Sequence, residues 1–351
     1  MESDRLEKLK HILEKAKSAK KPVIVILTHL DPDSMGSAEA VRFIAKSLGI
    51  DQITILYCDE SADEQNEAII NKLSLDRRMR PIGDWTEFPD SNCYVMVDSN
   101  SPGDSRLKHA KDKLNFAVVI DHHRNEKIRE TDDSFVWLED CGACATMMCE
   151  LLIGLNLLNT AKLNGDFKDL PLLLSLGIYT DTKGLISAGR NDREAFAQVA
   201  SMAEEADLQF FINYQISQSY MEALKCALNS MSTQGMKVVA YAGEISSKEA
   251  TVIARVADFF IRIKGFSLAV VWATVDDQQI TISARGTDFG TPLDEFMRSR
   301  FRIGGAKVSR WGLWEGGAQL SYDFGFFHSS INRTERIAVA QTLITNLVLN
   351  N

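Results

Sequence analysis

Aspartate and histidine recur in this chain in short, similar groupings. His29, Asp31 and Asp33 alternate with other residues, Asp98 stands alone, Asp121, His122 and His123 are consecutive, and Asp181 follows much later. Carboxylates and imidazoles suit hard or borderline divalent cations such as manganese, magnesium or zinc. No thiolate recurs at these places. Among the six cysteines, Cys141 and Cys144 form a C-x-x-C. A zinc site of that type wants a second such pair or histidines at ligand spacing, and neither is present. The cysteines therefore read as small buried residues.

The elements that would position these groups are strands. PVIVILT (22–28), QITILY (52–57), NCYVMVDS (92–99) and NFAVVIDHH (115–123) are short apolar runs rich in β-branched residues, as expected for strands buried on both faces. Helical segments lie between or after them, with AEAVRFIAKSLG ending at Gly49. MMCELLIGLNLL (147–158) and DLPLLLSLGIYTDT (169–182) continue the alternation, the latter read as apolar chain leading to Asp181. Alternation of this kind predicts an α/β fold with a parallel sheet and helices on both faces. The acidic and histidine residues then fall at the carboxyl ends of strands, with Asp181 read as following LSLGIYT in the same way. Ligand sites in open parallel sheets form where those ends gather. In extended chain, alternate side chains point the same way, so His29, Asp31 and Asp33 are expected to project together. A helix starting at Gly36 and Ser37 would offer its amides to a phosphate oxygen. Any one such aspartate often serves only as a helix N-cap; four chain segments with the same chemistry argue for a shared site.

The character changes near residue 190. A polar-faced helical stretch is followed by KVVAYAGE and FSLAVVWATVDDQQITISARG, the latter a hairpin around Asp276–Gln278. The reading is a first domain at 1–199, a helical linker or hinge at 200–235, and a smaller mixed α/β domain at 236–351. The length of 351 residues fits two domains. The net charge of −9 argues against coating long duplex DNA, which needs many lysine and arginine contacts to phosphates. It leaves room for a small phosphorylated substrate, because bound cations supply positive charge locally. The charged N-terminus has no apolar signal core, and no apolar run reaches the ~20 residues that span a bilayer. A cytoplasmic protein without membrane contact is expected, with oligomeric state left open, a homodimer included.

The motifs resemble those of the DHH phosphoesterase superfamily. HLDPDSMGSA (29–38) looks like its first motif, VMVDSNSPGDSR (95–106) its second, IDHH (120–123) its signature, CGACATMMCELL (141–152) the turn and helix after it, and GIYTDTKGL (177–185) its G-I-x-x-D-T motif. ITISARG (280–286), followed by a helix and glycines, resembles the DHHA1 substrate domain. Within the superfamily, the motifs resemble those of the stand-alone oligoribonuclease and phosphoadenosine phosphatase branch, without added sensor domains.

That resemblance implies two divalent ions, usually Mn2+, with Mg2+ as the alternative. His29, Asp31 and Asp98 would hold one, and Asp33, Asp98, His122 and Asp181 the other, with Asp98 bridging. Asp121 would brace the motif, and His123 would contact phosphate or carry a proton. Asp98, Asp121 and His123 are thus the candidate catalytic residues. Arg285 would bind a substrate phosphate. The family's G-G-G-H segment is altered: IGGAK (303–307) and EGGAQLSYDFG (315–325) carry Ala306 or Ala318 where it has histidine. Gly304, Gly305, Gly316 and Gly317 remain candidates for substrate binding. Arg302 joins them, within a cluster of Arg298, Arg300, Lys307 and Arg310 near Trp311 and Trp314 that could clamp a short nucleotide. The expected activity is a metal-dependent phosphoesterase, of exonuclease type, on short oligonucleotides, dinucleotides or nucleotide phosphomonoesters. The second domain would close over the substrate. A pyrophosphatase or polyphosphatase, and a nucleotide-binding regulator without turnover, are the alternatives.

Overall fold

The computed structural model describes residues 3–58, 64–82, 88–99, 107, 114–123, 128, 130–159, 163–213, 216–287, 290, 292–308, 313–322 and 332–350. The chain divides into two compact units, Met1–Tyr214 and Gln215–Asn351.

The first unit contains α1 (Ser3–Ser18), β1 (Val23–Leu27), α2 (Pro32–Ser47), β2 (Ile53–Tyr57), α3 (Glu64–Leu73), β3 (Met79–Pro81), β4 (Cys93–Val97), β5 (Phe116–Asp121), β6 (Phe135–Leu138), α4 (Cys144–Gly154), α5 (Leu170–Asp181), α6 (Arg190–Ala200) and α7 (Glu205–Ile212). Its six strands are parallel, in the order β3-β2-β1-β4-β5-β6. β1 and β4 are buried along their whole length, which explains why neither shows polar alternation. Val23, Val25, Leu27, Val95, Val97, Val118 and Ile120 share a core with residues of α1, α2, α4 and α5. The alternate residues Ile24, Ile26, Tyr94, Met96 and Val119 form the opposite core with Phe88 and Leu107. The strand order reverses between β1 and β4. That is the switch point at which crevices open in doubly wound sheets.

The second unit contains α8 (Gln218–Ser230), β7 (Ser232–Gln234), β8 (Lys237–Ile245), α9 (Thr251–Ile261), β9 (Leu268–Val275), β10 (Gln279–Gly286), α10 (Leu293–Phe301), β11 (Gly305–Val308), β12 (Trp314–Ser321) and α11 (Arg333–Leu349). Its mixed sheet runs β11-β12-β10-β9-β8-β7, with β8 and β9 parallel. One face, carrying Val270, Trp272 and Ile282, packs on α10 and α11. The other, carrying Ala269, Val271 and Ala273, packs on α8 and α9. Asp276 and Asp277 turn the β9–β10 hairpin with φ of 50° and 54°, the left-handed conformations a type I′ turn requires. Of the segment read as a connecting helical region, α7 packs on α5 and α3 of the first unit, whereas α8 packs on β8 of the second.

No helix among the described residues is long and apolar enough to cross a membrane.

Candidate metal centre

The first site loop leaves β1 at Leu27 and enters α2 within a few residues. Asp31 is the N-cap: its Oδ1 accepts from the Ser34 amide at 2.8 Å, and the Asp31 amide donates to Ser34 Oγ at 3.1 Å. Pro32 supplies the pre-set φ of the first helical position. The other carboxylate oxygen, Oδ2, lies 2.6 Å from His29 Nε2. Asp31 is therefore both the helix cap and one donor of the group it forms with His29 and Asp98. Burial pushes its pKa up, but the His29 ring and the Ser34 hydrogen bonds prevail and hold it below the usual carboxylate value.

Asp33 departs from the expected extended alternation. It sits in the first turn of α2, fully buried, and takes part in a different donor set from His29 and Asp31. Its two oxygens accept from the Cys144 and Ala145 amides at 2.7 and 2.6 Å. These are orphan amides at the start of α4, where the helix dipole also favours negative charge. Gly36 likewise does not begin the helix. It lies inside α2, where a Cβ would come within 3.1 Å of the Leu173 backbone, so its smallness serves the packing of α2 on α5.

Asp98 follows β4 with φ of +54°, a conformation that aspartate tolerates better than most residues. Its amide donates to the Ile120 carbonyl at 3.0 Å, which locks the end of β4 to the end of β5. Asp121 closes β5 and is fully buried; its Oδ1 accepts from His123 Nδ1 at 2.8 Å. His122 donates from Nδ1 to the Cys141 carbonyl at 3.1 Å. That bond leaves Nε2 as the nitrogen that could serve as a metal ligand.

Asp181 arrives differently from the expectation. The segment 170–181 is helix α5, so Asp181 stands in the last turn of a helix and not after a strand. Gly177 makes this approach feasible. A Cβ there would come within 2.8 Å of Asp33 Cα and 3.1 Å of Ala145 Cβ.

The donors gather in three overlapping groups: His29, Asp31 and Asp98; Asp33, His122 and Asp181; and Asp98, Asp121, His122 and His123. Within each, one ligand atom per residue lies within 4.8 Å of the others. His122 Nε2 is 3.3 Å from Asp98 Oδ1, 3.4 Å from Asp181 Oδ2 and 3.8 Å from Asp33 Oδ2. Yet neither His122 Nε2 nor Asp98 Oδ1 has a hydrogen-bond partner among the described residues, although both are buried. Buried polar atoms are rarely left so. A divalent cation among them would satisfy nitrogen and oxygens together, so the residues present fit the metal that the donor types imply. The electrostatics agree. Burial, followed by the Asp98 and Asp181 charges, raises the Asp33 pKa well above its ordinary value. Burial and then the Asp31 charge raise that of Asp98 to about 6. Burial alone would lower the His122 pKa, but the Asp181 and Asp98 carboxylates overcome it and hold the pKa well above normal. Close carboxylates strain against one another until positive charge enters.

The other predicted site residues lie in the second unit. Arg285 on β10 is largely buried; its Nε donates to Asp258 Oδ1 at 2.6 Å and its Nη1 to Ser283 Oγ and the Ala284 carbonyl, both at 3.1 Å. The two glycine segments are neighbours: Gly305 pairs with Gly317 and Ala306 with Gly316 across β11 and β12. Gly304 has φ of +86°, and a Cβ on it would run into the Gly317 carbonyl and Ala318. A Cβ on Gly316 would press on Ala306 Cβ at 3.0 Å, and one on Gly305 on Asp294 Oδ1 at 3.0 Å. Close packing of β11 on β12 and α10 thus leaves little room for a side chain at Gly304, Gly305 and Gly316. Arg302 is exposed at the left-handed C-cap of α10, and Arg298 pairs with Asp294 at 3.0 Å. Arg310, Trp311 and residues 100–106 of the second motif lie outside the described residues.

One residue escaped the sequence reading. Asp192, in the first turn of α6, is 1% exposed and accepts from Gly142 N at 2.9 Å, Thr146 Oγ1 at 2.7 Å and Gly189 N at 2.7 Å. Its position three residues after Gly189 marks a helix start, but nothing local indicates its long-range partners.

Residues 23–178 match the DHH family, N-terminal domain. An uncharacterized protein of Methanocaldococcus jannaschii is 31% identical over 305 residues, covering 85% of this chain; the chain spans 59% of that relative's length. Among solved structures, an exopolyphosphatase-related protein from Bacteroides fragilis superposes with a TM-score of 0.68 at 13% identity, covering 99% of this chain and 97% of its own. RecJ from Thermus thermophilus, in complex with Mn2+, gives 0.47 at 12% identity, over 95% of this chain and 55% of its own. The likeness to the first of these structures is one of fold. The first unit thus carries a DHH family N-terminal domain over residues 23–178.

Proposed function

We propose that the chain is a metal-dependent phosphoesterase that hydrolyses short oligonucleotides, dinucleotides or nucleotide phosphomonoesters. The observation that carries this reading is the buried His122 Nε2, without a hydrogen-bond partner among the described residues and facing Asp98, Asp181 and Asp33 at 3.3–3.8 Å. A cation among these atoms would satisfy the nitrogen and the three carboxylates together. His29, Asp31 and Asp98 would hold one divalent ion, and Asp33, Asp98, His122 and Asp181 a second, with Mn2+ the favoured metal. When bound, such ions supply Lewis-acid polarisation of phosphoryl oxygens and lower the pKa of water.

The protein's own contribution is orientation and proton handling. The Cys141 carbonyl fixes which His122 nitrogen faces the centre. The α4 amides hold Asp33 by both oxygens, so its position does not depend on a ligand. Asp121 orients His123 through Nδ1, which makes Nε2 the nitrogen that exchanges a proton with a leaving oxygen. The His123 side chain is 33% exposed against 12% for His122, as suits a proton carrier beside a ligand.

A substrate panel in Mn2+ tests the reading: short RNA, a phosphorylated adenosine, a cyclic dinucleotide, pyrophosphate and polyphosphate. Release of mononucleotide or of phosphate from the nucleotide supports it. Turnover of pyrophosphate or polyphosphate alone would replace its substrate class, and tight nucleotide binding without turnover would replace its enzymatic part.

A further inference from the structure

We propose that Asp192 is a positioning residue of the metal centre, acting through the 141–146 segment and not by contact with any ion; the proposal rests on the metal-centre reading above. The Asp192 carboxylate comes from α6, yet its three hydrogen bonds clamp three places. Gly142 N belongs to the loop before α4, Thr146 Oγ1 to the first turn of α4, and Gly189 N to the start of α6 itself. The clamped segment carries two groups that aim ligands. The Cys141 carbonyl, one residue before Gly142, receives His122 Nδ1 at 3.1 Å. The Cys144 and Ala145 amides, between Gly142 and Thr146, hold both oxygens of Asp33. One buried carboxylate thus fixes the supports of His122 and Asp33 together.

The sequence is fitted to this arrangement. Position 142 is glycine because a Cβ there would collide with the Asp192 carboxylate and Thr182 Cγ2. Asp192 uses both oxygens, Oδ1 for Gly142 and Thr146 and Oδ2 for Gly189, so an amide in its place leaves at least one donor without an acceptor. Groups that orient ligands from behind commonly matter about 10–100-fold to metal affinity or activity.

The test measures Mn2+ affinity of the full chain by paramagnetic resonance of the free ion, and amide hydrogen exchange at Cys144 and Ala145 in metal-free protein. Asp192→Asn is expected to weaken Mn2+ binding about 10–100-fold and to speed exchange at both amides, with the far-ultraviolet circular dichroism unchanged. Val199→Ala is the comparison for general loss of stability. Val199 is a fully buried residue of the same helix, and its variant should leave Mn2+ affinity unchanged. Should Asp192→Asn not fold, Thr146→Val removes one donor and leaves the carboxylate; it should shift both readouts in the same direction by less. A folded Asp192→Asn, or Thr146→Val in its place, with unchanged affinity and unchanged exchange would overturn the proposal. So would an equal loss of affinity in Val199→Ala. If the wild-type chain binds no Mn2+, the metal-centre reading fails, and the exchange measurement still decides whether Asp192 holds the segment.

Discussion

His122 Nε2 and Asp98 Oδ1 lie 3.3 Å apart, both buried, and neither has a well-formed hydrogen-bond partner among the described residues. The two atoms come from the ends of adjacent strands, β4 and β5, whose register is locked by the Asp98 amide on the Ile120 carbonyl. The backbone therefore imposes the juxtaposition.

Asp98 stands in two of the three donor groups, so its loss should affect the whole centre. Asp98→Asn is expected to lower kcat on the order of 10²–10³-fold or more, the range seen when a key electrostatic group is removed from an active site. Steady-state hydrolysis in Mn2+, with circular dichroism to verify the fold, checks this; retained turnover would contradict it.

The metal-free protein should gain stability as pH falls. Asp98, with its pKa raised to about 6, binds its proton more tightly folded than unfolded. Its stabilising contribution is complete below the ordinary carboxylate pKa and is lost as pH rises through about 6. Asp33 and His122 are shifted upward too and act with the same sign. In chelator, the melting temperature should rise between pH 7.5 and 5.5, with Asp98 alone contributing roughly 1 kcal/mol. Saturating Mn2+ should flatten or reverse the trend, and Asp98→Asn should reduce it. Thermal melts across that range, with and without metal, measure it.

Asp31 does two separable jobs. Asp31→Asn keeps an N-cap acceptor and should cost only a few tenths of a kcal/mol, whereas Asp31→Ala should cost about 1 kcal/mol. Both remove the carboxylate near His29, so both should weaken divalent-ion binding alike. Melting temperature and Mn2+ titration, read side by side, separate the two jobs.

Gly177→Ala sets helix propensity against space. Alanine gains about 1 kcal/mol over glycine within a helix. Here its Cβ would meet Asp33 Cα at 2.8 Å, backbone that cannot yield cheaply. Overpacking of this kind costs about 1–3 kcal/mol, so net destabilisation is expected, together with weaker metal binding as Asp33 shifts. Denaturant melts and the same Mn2+ titration apply.

Much of this centre was legible before the fold was known. Strands β1, β4 and β5 are uniformly apolar because both faces are buried, and their polar ends stand out by contrast. The segment ending at Asp181 misled because α5 is buried over most of its length and carries no helical stripe, so periodicity cannot separate it from strand. Strand β3, Met79–Pro81, passed unread: three residues including an arginine and a proline carry no strand pattern. The extended alternation expected to align Asp33 with His29 and Asp31 does not form, since the chain enters α2 at Pro32. Asp192 could not be read at all. Its partners Gly142 and Thr146 lie 50 and 46 residues away, and only the packing of α6 beside α4 brings them together.

The most direct test is a crystal of the chain soaked in Mn2+ and measured at the manganese absorption edge. Two anomalous peaks about 3.5–4 Å apart, one beside His29 and Asp31, the other beside Asp33, His122 and Asp181, with Asp98 reaching both, are the predicted result. Peaks elsewhere, or none while His122 and Asp98 keep their positions, would contradict the account.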